Sequence, residues 1–340
     1  MPGEAGRGSG RASAGAPTTV GAVQRWFGLD EVPEDLGPTV ATLGNFDGVH
    51  RGHRAVLTRV VREAHDRGAT PVAVTFEPHP VAVLHPDHAP AQVTSLTQRL
   101  EQLASLGLSV LVIEFTREYA QLTPEEFVQA TFVAALHVEA VVVGRDTRFG
   151  VRNTGDVDTL RRLGCQHGFE VISLDDVGEG TRWSSTRLRA ELLAGSVGHA
   201  AQILGRPHRV SGVVVHGDHR GRALGYPTAN LTADPEGLVP ADGVYAGWLV
   251  RLDLPLEEAD RTLPAAISVG TNPTFDGHQR RVEAYVLDRT DLDLYGEQVA
   301  LEFVDRLRET LRFDGVEALV EQMEQDVARC RTILSTAVPG

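Results

Sequence analysis

The sequence has few cysteines and no long hydrophobic run. Its 340 residues include only Cys165 and Cys330, which are far apart and lack the spacing of a metal site. This argues against a disulfide-based scaffold and fits a reducing cytoplasm, which is the location we expect. No uninterrupted apolar stretch approaches the roughly 20 residues that a bilayer-spanning helix needs, so we expect no membrane partner.

The chain also has fewer basic than acidic residues. Lys and Arg number 32 and Asp and Glu number 46, which gives a net charge of −14. That balance argues against broad nucleic-acid binding, because such binding needs a basic surface. It leaves nucleotides as substrates, since backbone N–H groups, a metal ion and a few local cations can hold their phosphates.

The first twenty residues differ in composition from the rest of the chain. They are rich in Gly, Ala, Ser, Thr and Pro, and they lack the apolar core of a signal peptide. Because so few apolar side chains cannot offset the entropy of ordering, we predict a disordered tail over residues 1–20. The length of the remainder fits two domains.

Residues 39–175 alternate between two hydrophobic periods. Five short apolar runs are predicted to be buried strands, at residues 39–43, 72–76, 109–115, 139–143 and 169–174. Helical patterns lie between them, for example at 53–67, where Gly68 offers a stop, and after a capping box at Thr123. This alternation predicts a parallel sheet in a domain spanning 21–200, with ligands at the carboxyl ends of the strands.

The pattern changes after Gly205. Five short strands separated by Gly, Pro, Asp and Asn are predicted at residues 210–215, 244–250, 265–269, 282–287 and 299–304. They indicate an antiparallel barrel or sandwich, closed by a helix at about 315–334. We therefore predict a second domain over 201–340, with the boundary inside 196–207.

The segment 44–53 joins the first predicted strand to the first helix and contains two histidines. Gly48 and Gly52 let backbone approach a ligand closely, and the helix N-terminus presents N–H groups to an anion. His50 and His53 are three residues apart, so both rings can face one phosphate. The alternative is a pair of surface histidines, which the strand-to-helix position disfavours.

Three further segments follow predicted strands, where ligands of parallel sheets bind. They cover residues 75–80, which have the sequence Thr-Phe-Glu-Pro-His-Pro, residues 144–150 and residues 182–189. The last segment opens a helix. It is also consistent with an ordinary N-cap followed by basic residues.

The second domain contains two candidate features of its own. Residues 220–230 join the first two predicted barrel strands, and their glycines, Gly225 among them, suit a loop that folds over a nucleotide. The alternative is a hairpin loop in which Pro and Asn are turn residues. Strand alternation also places Glu283 and Tyr285 on the face opposite to Val282, Ala284 and Val286. A solvated strand carboxylate is the alternative for Glu283.

Together these segments resemble the bacterial bifunctional riboflavin kinase/FMN adenylyltransferase (FAD synthetase) family over about residues 22–335. The resemblance rests on the histidine segment, on Thr-Phe-Glu-Pro-His-Pro, on Ser-Ser-Thr-x-Leu-Arg at 184–189 and on Pro-Thr-Ala-Asn at 227–230. It implies an α/β Rossmann-like nucleotidylyltransferase domain, followed by an antiparallel β-barrel riboflavin kinase domain with a C-terminal helix.

The resemblance also implies two reactions. Riboflavin is expected to be phosphorylated by ATP to FMN, and FMN is then expected to receive an adenylyl group from a second ATP, giving FAD and pyrophosphate. The expected ligands are riboflavin, FMN, FAD, ATP, ADP and pyrophosphate, with Mg²⁺ as the cofactor and no nucleic acid. An oligomer is compatible with the sequence.

In the first domain, the resemblance implies that His50 and His53 contact the ATP phosphates. Asp146 is expected near the nucleotide and the flavin. A second phosphate-binding motif is expected from Arg182, Ser185, Thr186 and Arg189. Because the FMN phosphate itself attacks the α-phosphorus of ATP, positioning and electrostatics are expected to dominate catalysis.

In the second domain, the resemblance implies that the Thr228 hydroxyl and the Asn230 carbonyl bind Mg²⁺, with Gly225 in the nucleotide-binding loop. Glu283 matches the general base, which would accept the proton of riboflavin's terminal ribityl hydroxyl. The chain departs from the family at Arg312, where Lys is commoner, and the positive charge is kept.

Two other functions remain open. A His-x-Gly-His sequence also occurs in cytidylyltransferases and pantetheine-phosphate adenylyltransferases, but the other motifs argue against those substrates. A flavin-binding sensor or carrier with inactive sites is the second alternative, and the presence of His50, His53, Thr228, Asn230 and Glu283 argues against it.

Overall fold

The computed structural model describes residues 23–175, 183–217, 225–274 and 277–339, without the side chains of 272–279. The tail predicted over residues 1–20 and the predicted phosphate ligand Arg182 lie outside the described residues. So do residues 218–224, which include the first five residues of the predicted nucleotide-binding loop.

Six parallel strands form the first sheet, in the spatial order β1-β4-β3-β2-β5-β6. Their bounds are β1 Arg25–Phe27, β2 Thr39–Leu43, β3 Thr70–Glu77, β4 Ser109–Glu114, β5 Val138–Gly144 and β6 Glu170–Leu174. The five predicted strands are confirmed. The sequence did not predict β1, because a three-residue strand with one buried side chain shows no period.

Helices cover both faces of this sheet. They are α1 Arg51–Arg67, α2 Pro80–Leu84, α3 Leu96–Ser105, α4 Pro124–Phe127, which continues with π-helical geometry over Val128–Ala135, and α5 Val157–His167. The predicted stop at Gly68 is confirmed by a left-handed φ of 66°, which glycine adopts without a steric penalty. The predicted capping box at Thr123 is also present.

Alternate residues of the strands feed two separate cores. In β2, Val40 packs with α1 and α3 on one face, whereas Ala41 packs with the aromatic side chains of α4 on the other. Both residues are fully buried. This packing on both sides explains why the strands are continuous apolar runs and fixes the carboxyl edge of the sheet as the place for a ligand.

Six antiparallel strands form the second domain as a closed barrel, in the order β10-β11-β8-β7-β12-β9. Their bounds are β7 His208–Val215, β8 Thr228–Leu231, β9 Gly243–Arg251, β10 Thr262–Thr274, β11 Gly277–Val286 and β12 Gln298–Arg308. Closure settles the choice between barrel and sandwich that the sequence left open. It also leaves no sheet edge exposed.

One prediction for the barrel is wrong. Thr228 and Asn230 lie on β8, and not in a loop that joins the first two strands. The segment Thr228–Leu231 is short and contains Asn, which is uncommon in strands, so its sequence favours a turn. Pairing with β11 and burial of Ala229 and Leu231 inside the barrel override that preference.

Two helices link the sheet to the barrel and share the core of the barrel. They are α6 Ser185–Leu193 and α7 Val197–Leu204. Leu188 and Leu192 of α6 are fully buried in the cluster that also contains Phe303 of β12. The division of the chain at residues 200 and 201 stays a prediction, but the side chains of α6 already pack with those of the second domain.

A final helix, α8 Val316–Leu334, packs on the outside of the barrel. Its C-terminal half buries Val327, Cys330 and Leu334 against Leu307 of β12. The helix is less buried toward its N-terminus, where Val316 is 56% exposed. Burial raises the pKa of the Cys330 thiol to about 12, so this cysteine is a packing residue.

His208, the first residue of β7, makes stability depend on pH. Its Nε2–H donates to the Leu238 carbonyl at 2.7 Å, and burial lowers its pKa to about 4. The unfolded chain takes up the proton near pH 6.5, so this stabilisation is present above that pH and is lost as pH falls toward 4. We expect the titration of His208 to lower the free energy of unfolding by about 2 kcal/mol when the pH falls from 7 to 5.

Urea unfolding of the wild type and of His208→Gln at both pH values measures this effect. The glutamine amide can donate the same hydrogen bond but does not titrate, and all other titrating groups are common to both proteins. The variant should therefore lose less stability on acidification. Equal losses in the two proteins would show that His208 does not carry the effect.

Candidate active sites

The loop after β2 brings the two predicted histidines together. His50 is the N-cap of α1, and its Nδ1 accepts the His53 backbone N–H at 3.2 Å. The two rings stack with centroids 3.6 Å apart and planes 18° from parallel. Because Nδ1 of His50 accepts a hydrogen bond, the proton of the neutral ring is on Nε2.

A cavity of about 640 Å³ opens over this pair at the carboxyl edge of the sheet. His50, His53 and Asp146 line one part of its wall, together with Ser185 and Thr186 from the first turn of α6. Five of the predicted site residues of the first domain therefore surround one space. Asp146 reaches it because β5 lies beside β2 in the sheet.

Aromatic rings line another part of the same cavity. They belong to Phe76 near the end of β3, Phe115 and Tyr119 after β4, and Phe127 of α4. Their centroids lie 5.6 to 6.4 Å apart in the edge-on and tilted arrangements that aromatic rings prefer. This wall was not predicted, since its members are spread over fifty residues in separate loops.

Arg189 makes contacts other than those expected from its motif. Its Nη2 lies 2.8 Å from Asp47 Oδ2, and its Nε donates to the Ala91 carbonyl at 2.8 Å. Asp47 is buried and also accepts the N–H groups of Val93 and Thr94. In this arrangement Arg189 holds the histidine loop against α6, and a direct phosphate contact stays a prediction.

The loop and α6 touch at two further points. Ser185 Oγ donates to the Asp47 carbonyl at 2.9 Å. Gly48 has a φ of 82°, and a Cβ at this position would lie 2.8 Å from Leu188 Cδ2. Only glycine therefore fits this approach without strain, and the N-termini of α1 and α6 are held side by side.

The Thr-Phe-Glu-Pro-His-Pro segment supports the floor of the cavity. His79 Nδ1 accepts the Val81 N–H at 3.2 Å, and burial lowers the pKa of the ring. The ring is then neutral with its proton on Nε2, which lies 3.1 Å from the Asn45 amide. That amide atom is Asn45 Nδ2, and since two donors cannot bond each other, a half-turn of the side-chain amide that puts Oδ1 in this place completes the hydrogen bond.

The barrel brings together three of its predicted site residues on one face. Asn230 and Glu283 are direct neighbours across β8 and β11, and Thr228 lies two residues before Asn230. Side chains of directly opposed residues start about 5 Å apart. Asn230 Nδ2 donates to Thr228 Oγ1 at 3.3 Å. Strand alternation turns all three side chains away from the barrel interior, as predicted for Glu283.

A small pocket lies beside this group. Thr228 and Asn230 line it, and Tyr295 forms part of the opposite wall with its ring 3.9 Å from that of His216. Gly225 has a φ of 86°. It is the first described residue after 218–224 and leads through Tyr226 into β8. Residues 218–224 are outside the described residues.

Thr228 and Asn230 suit a hard cation. The hydroxyl oxygen and the amide side chain are in contact, and each can offer a neutral oxygen. Mg²⁺ typically takes only one or two protein ligands and completes its shell with phosphate oxygens and water. The two side chains therefore fit an Mg²⁺ ion that arrives with a nucleotide.

These features define a class of protein: a nucleotide-binding α/β domain followed by a β-barrel with a separate polar site. The family described as FAD synthetase matches residues 32–187, and the family described as riboflavin kinase matches residues 204–334. The first match covers strands β2 to β6 of the sheet with the helices between them, and the second covers the barrel with α8.

Relatives from several bacteria match both parts together. The bifunctional riboflavin kinase/FMN adenylyltransferase of Escherichia coli K12 is 36% identical over 314 residues, which are 92% of this chain and 97% of that protein. The Bacillus subtilis protein of the same name is 32% identical over 305 residues, with 87% and 92% covered. The chain belongs to the bifunctional riboflavin kinase/FMN adenylyltransferase family.

A solved structure has the same fold. The crystal structure of a protein named macrolide-efflux protein from Streptococcus pneumoniae matches with a TM-score of 0.80 and 32% identity, over 91% of this chain and 99% of that one. Within the ranges that the structure describes, we find no helix with the length and apolar character to cross a membrane. The predicted family, fold class and enzyme class are confirmed.

Proposed function

We propose that this chain makes FAD from riboflavin in two steps at two separate sites. The barrel transfers the γ-phosphoryl group of ATP to riboflavin, which gives FMN and ADP. The parallel-sheet domain transfers the adenylyl group of a second ATP to FMN, which gives FAD and pyrophosphate. The observation that carries this proposal is the presence, in one chain, of a cavity over stacked histidines and a separate Thr228–Asn230–Glu283 group.

The triphosphate of ATP is proposed to lie between the N-termini of α1 and α6. Both helix ends offer backbone N–H groups and the positive ends of their dipoles to an anion. His50 and His53 face this point from α1, and Ser185 and Thr186 face it from α6. Two helix ends and two imidazoles together suit a chain of phosphates better than a single anion.

The isoalloxazine ring of FMN is proposed to lie against the aromatic wall of the cavity. A flat heteroaromatic ring gains both apolar burial and stacking from Phe115 and Tyr119. Burial raises the pKa of the Tyr119 phenol to about 12, so this side chain stays neutral beside the ring. The FMN phosphate then extends toward the histidines.

Adenylyl transfer needs no covalent bond to the protein. An oxygen of the FMN phosphate forms a bond to the α-phosphorus of ATP, and the bond from that phosphorus to the β-phosphate oxygen breaks. The task of the protein is to align two polyanions and to stabilise charge as it develops on the leaving pyrophosphate. Donors on His50, His53 and α6 are placed for that task.

Phosphoryl transfer at the barrel uses Glu283 as the general base. Its carboxylate is proposed to accept the proton of the terminal ribityl hydroxyl while that oxygen bonds to the γ-phosphorus and ADP leaves. Thr228 and Asn230 would hold Mg²⁺, which neutralises phosphate charge when it is bound. The register of β8 and β11 sets Glu283 beside these two residues.

The proposed location is the cytoplasm. ATP supplies both transferred groups, and Cys165 and Cys330 are free thiols, one exposed and one buried. A reducing compartment fits that state.

Incubation of the purified protein with riboflavin, ATP and Mg²⁺ tests the proposal, with products separated by chromatography over time. FMN should appear first and FAD should follow at its expense, and EDTA should suppress FMN formation. Tight flavin binding without any product would instead identify a flavin carrier. Transfer from CTP in preference to ATP would identify a cytidylyltransferase.

A further inference from the structure

The histidine loop is contacted from behind by a residue from the other side of the domain boundary. Arg206 lies between α7 and β7, within the part of the chain that matches the riboflavin kinase family. Its Nη2 donates to the Gly48 carbonyl at 2.9 Å, and its Nη1 donates to the Val49 carbonyl at 3.4 Å. The same Nη2 contacts Gln102 Oε1 of α3.

The loop needs this support because its backbone is strained. Phe46 has a φ of 49° and Val49 a φ of 39°, in the left-handed region that residues with a side chain rarely adopt. Val49 is also β-branched and fully buried. Such a conformation persists only where the surrounding contacts hold it in place.

Arg206 also sets the direction of the peptide that presents His50. In a trans peptide the carbonyl and the following N–H point in opposite directions. The Val49 carbonyl points to Arg206, so the His50 N–H points away from Arg206. Release of the carbonyl would let this peptide rotate.

The half-buried guanidinium of Arg206 forms no ion pair with a carboxylate in the part of the chain that the structure describes. Among the residues that the structure describes, its contacts are carbonyl oxygens and one amide oxygen. Burial lowers the pKa of its guanidinium to about 10, with Arg54 and Arg209 adding to that effect and Glu302 opposing it. The side chain is still cationic at neutral pH. A half-buried cation behind the loop favours an anion on the other side of it.

We propose that Arg206 is a positioning residue for adenylyl transfer, supplied by the kinase side of the chain. It holds the Gly48–His50 turn in its strained form and places a fixed positive charge behind the bound triphosphate. This inference rests on the proposed function of the cavity. It predicts that the sheet domain depends on the barrel for its activity, whereas the barrel site does not depend on this contact.

The test compares three full-length variants in both reactions. Arg206→Met keeps the length of the side chain but removes the charge and the donors. Arg206→Lys keeps the charge and one donating group. Arg67→Met is the control, because Arg67 is a half-buried arginine at the far end of α1 that pairs with Glu63 and Glu170.

For Arg206→Met we expect kcat for FMN adenylylation to fall by about 100-fold, the size of effect that a small misplacement of reacting groups produces. The KM for FMN should be unchanged, since the aromatic wall is not altered. Riboflavin phosphorylation by the same sample should also be unchanged. Arg206→Lys should recover a large part of the loss, and Arg67→Met should keep both activities.

Full adenylylation by Arg206→Met would overturn the inference. A parallel loss of both activities together with a lowered melting temperature would also overturn it, because Arg206 would then act on stability alone. Failure of the proposed function is recognised separately. In that case the wild-type protein itself makes no FAD from FMN and ATP.

Discussion

Replacement of Glu283 by Gln is expected to stop FMN formation while adenylylation of supplied FMN continues. The amide keeps the size of the side chain but cannot accept the proton of the ribityl hydroxyl. Loss of a general base typically lowers a rate by about 10²- to 10⁴-fold. Glu283 lies between Ser268 and Asn230 on the outward face of the barrel, so the exchange leaves the buried face of β11 intact.

The matched control is Glu297→Gln. Glu297, the residue before β12, is also half-buried, but it pairs with Arg251 at the end of β9. Phosphorylation of riboflavin should continue in this variant. Undiminished FMN formation by Glu283→Gln would remove Glu283 from the mechanism. The assay must start from riboflavin and from FMN in separate reactions, so that each step is measured alone.

Replacement of His53 by Ala is expected to act on the other reaction. Adenylylation should fall by about 10²- to 10³-fold, as it does when one well-placed donor to a charged transition state is removed. The ring of His53 stacks on His50 and meets the edge of Phe46, so its loss also frees the partner imidazole. Riboflavin phosphorylation should be unchanged, since this ring lines the cavity of the sheet domain.

His65→Ala is the control for His53. His65 lies in the last turn of the same helix and is exposed, far from the cavity. Both reactions should proceed normally in this variant. An equal loss of both activities in His53→Ala would point to a folding defect and would contradict the assignment of His53 to the ATP phosphates.

Local patterns predicted those parts of the fold that depend on neighbouring residues. The strands of the sheet follow from short Val-rich runs that are buried on both faces, and α1 ends at Gly68 because that position needs a left-handed φ. The direction of Glu283 follows from alternation in a strand. The meeting of His50 and His53 follows from their spacing at the start of a helix.

Contacts between distant residues could not be predicted in the same way. Arg189 matches a phosphate-binding motif, yet its contact with Asp47 joins residues more than a hundred positions apart. Arg206 carries no local pattern at all, and its role depends on the docking of the barrel against α3. Thr228 shows the reverse case, in which pairing with β11 overrides a local preference for a turn.

The packing of α6 connects the cavity of the sheet domain to the core of the barrel. Ser185 and Thr186 face the cavity from its first turn, while Leu188 and Leu192 are buried in the core of the barrel. A contact from α3 also joins the sheet domain to the barrel, since Gln98 Nε2 donates to Ser211 Oγ of β7 at 2.9 Å. One side of the adenylylation site is therefore built on the second domain, although the two reactions use separate pockets.

The central claim is that two separate sites act in sequence on a flavin that is released between them. An equimolar mixture of Glu283→Gln and His53→Ala, supplied with riboflavin, ATP and Mg²⁺, tests it most directly. We predict that the mixture makes FAD, whereas Glu283→Gln alone leaves riboflavin and His53→Ala alone stops at FMN. A mixture that makes no FAD, or a single variant that makes as much as the mixture, would contradict the account.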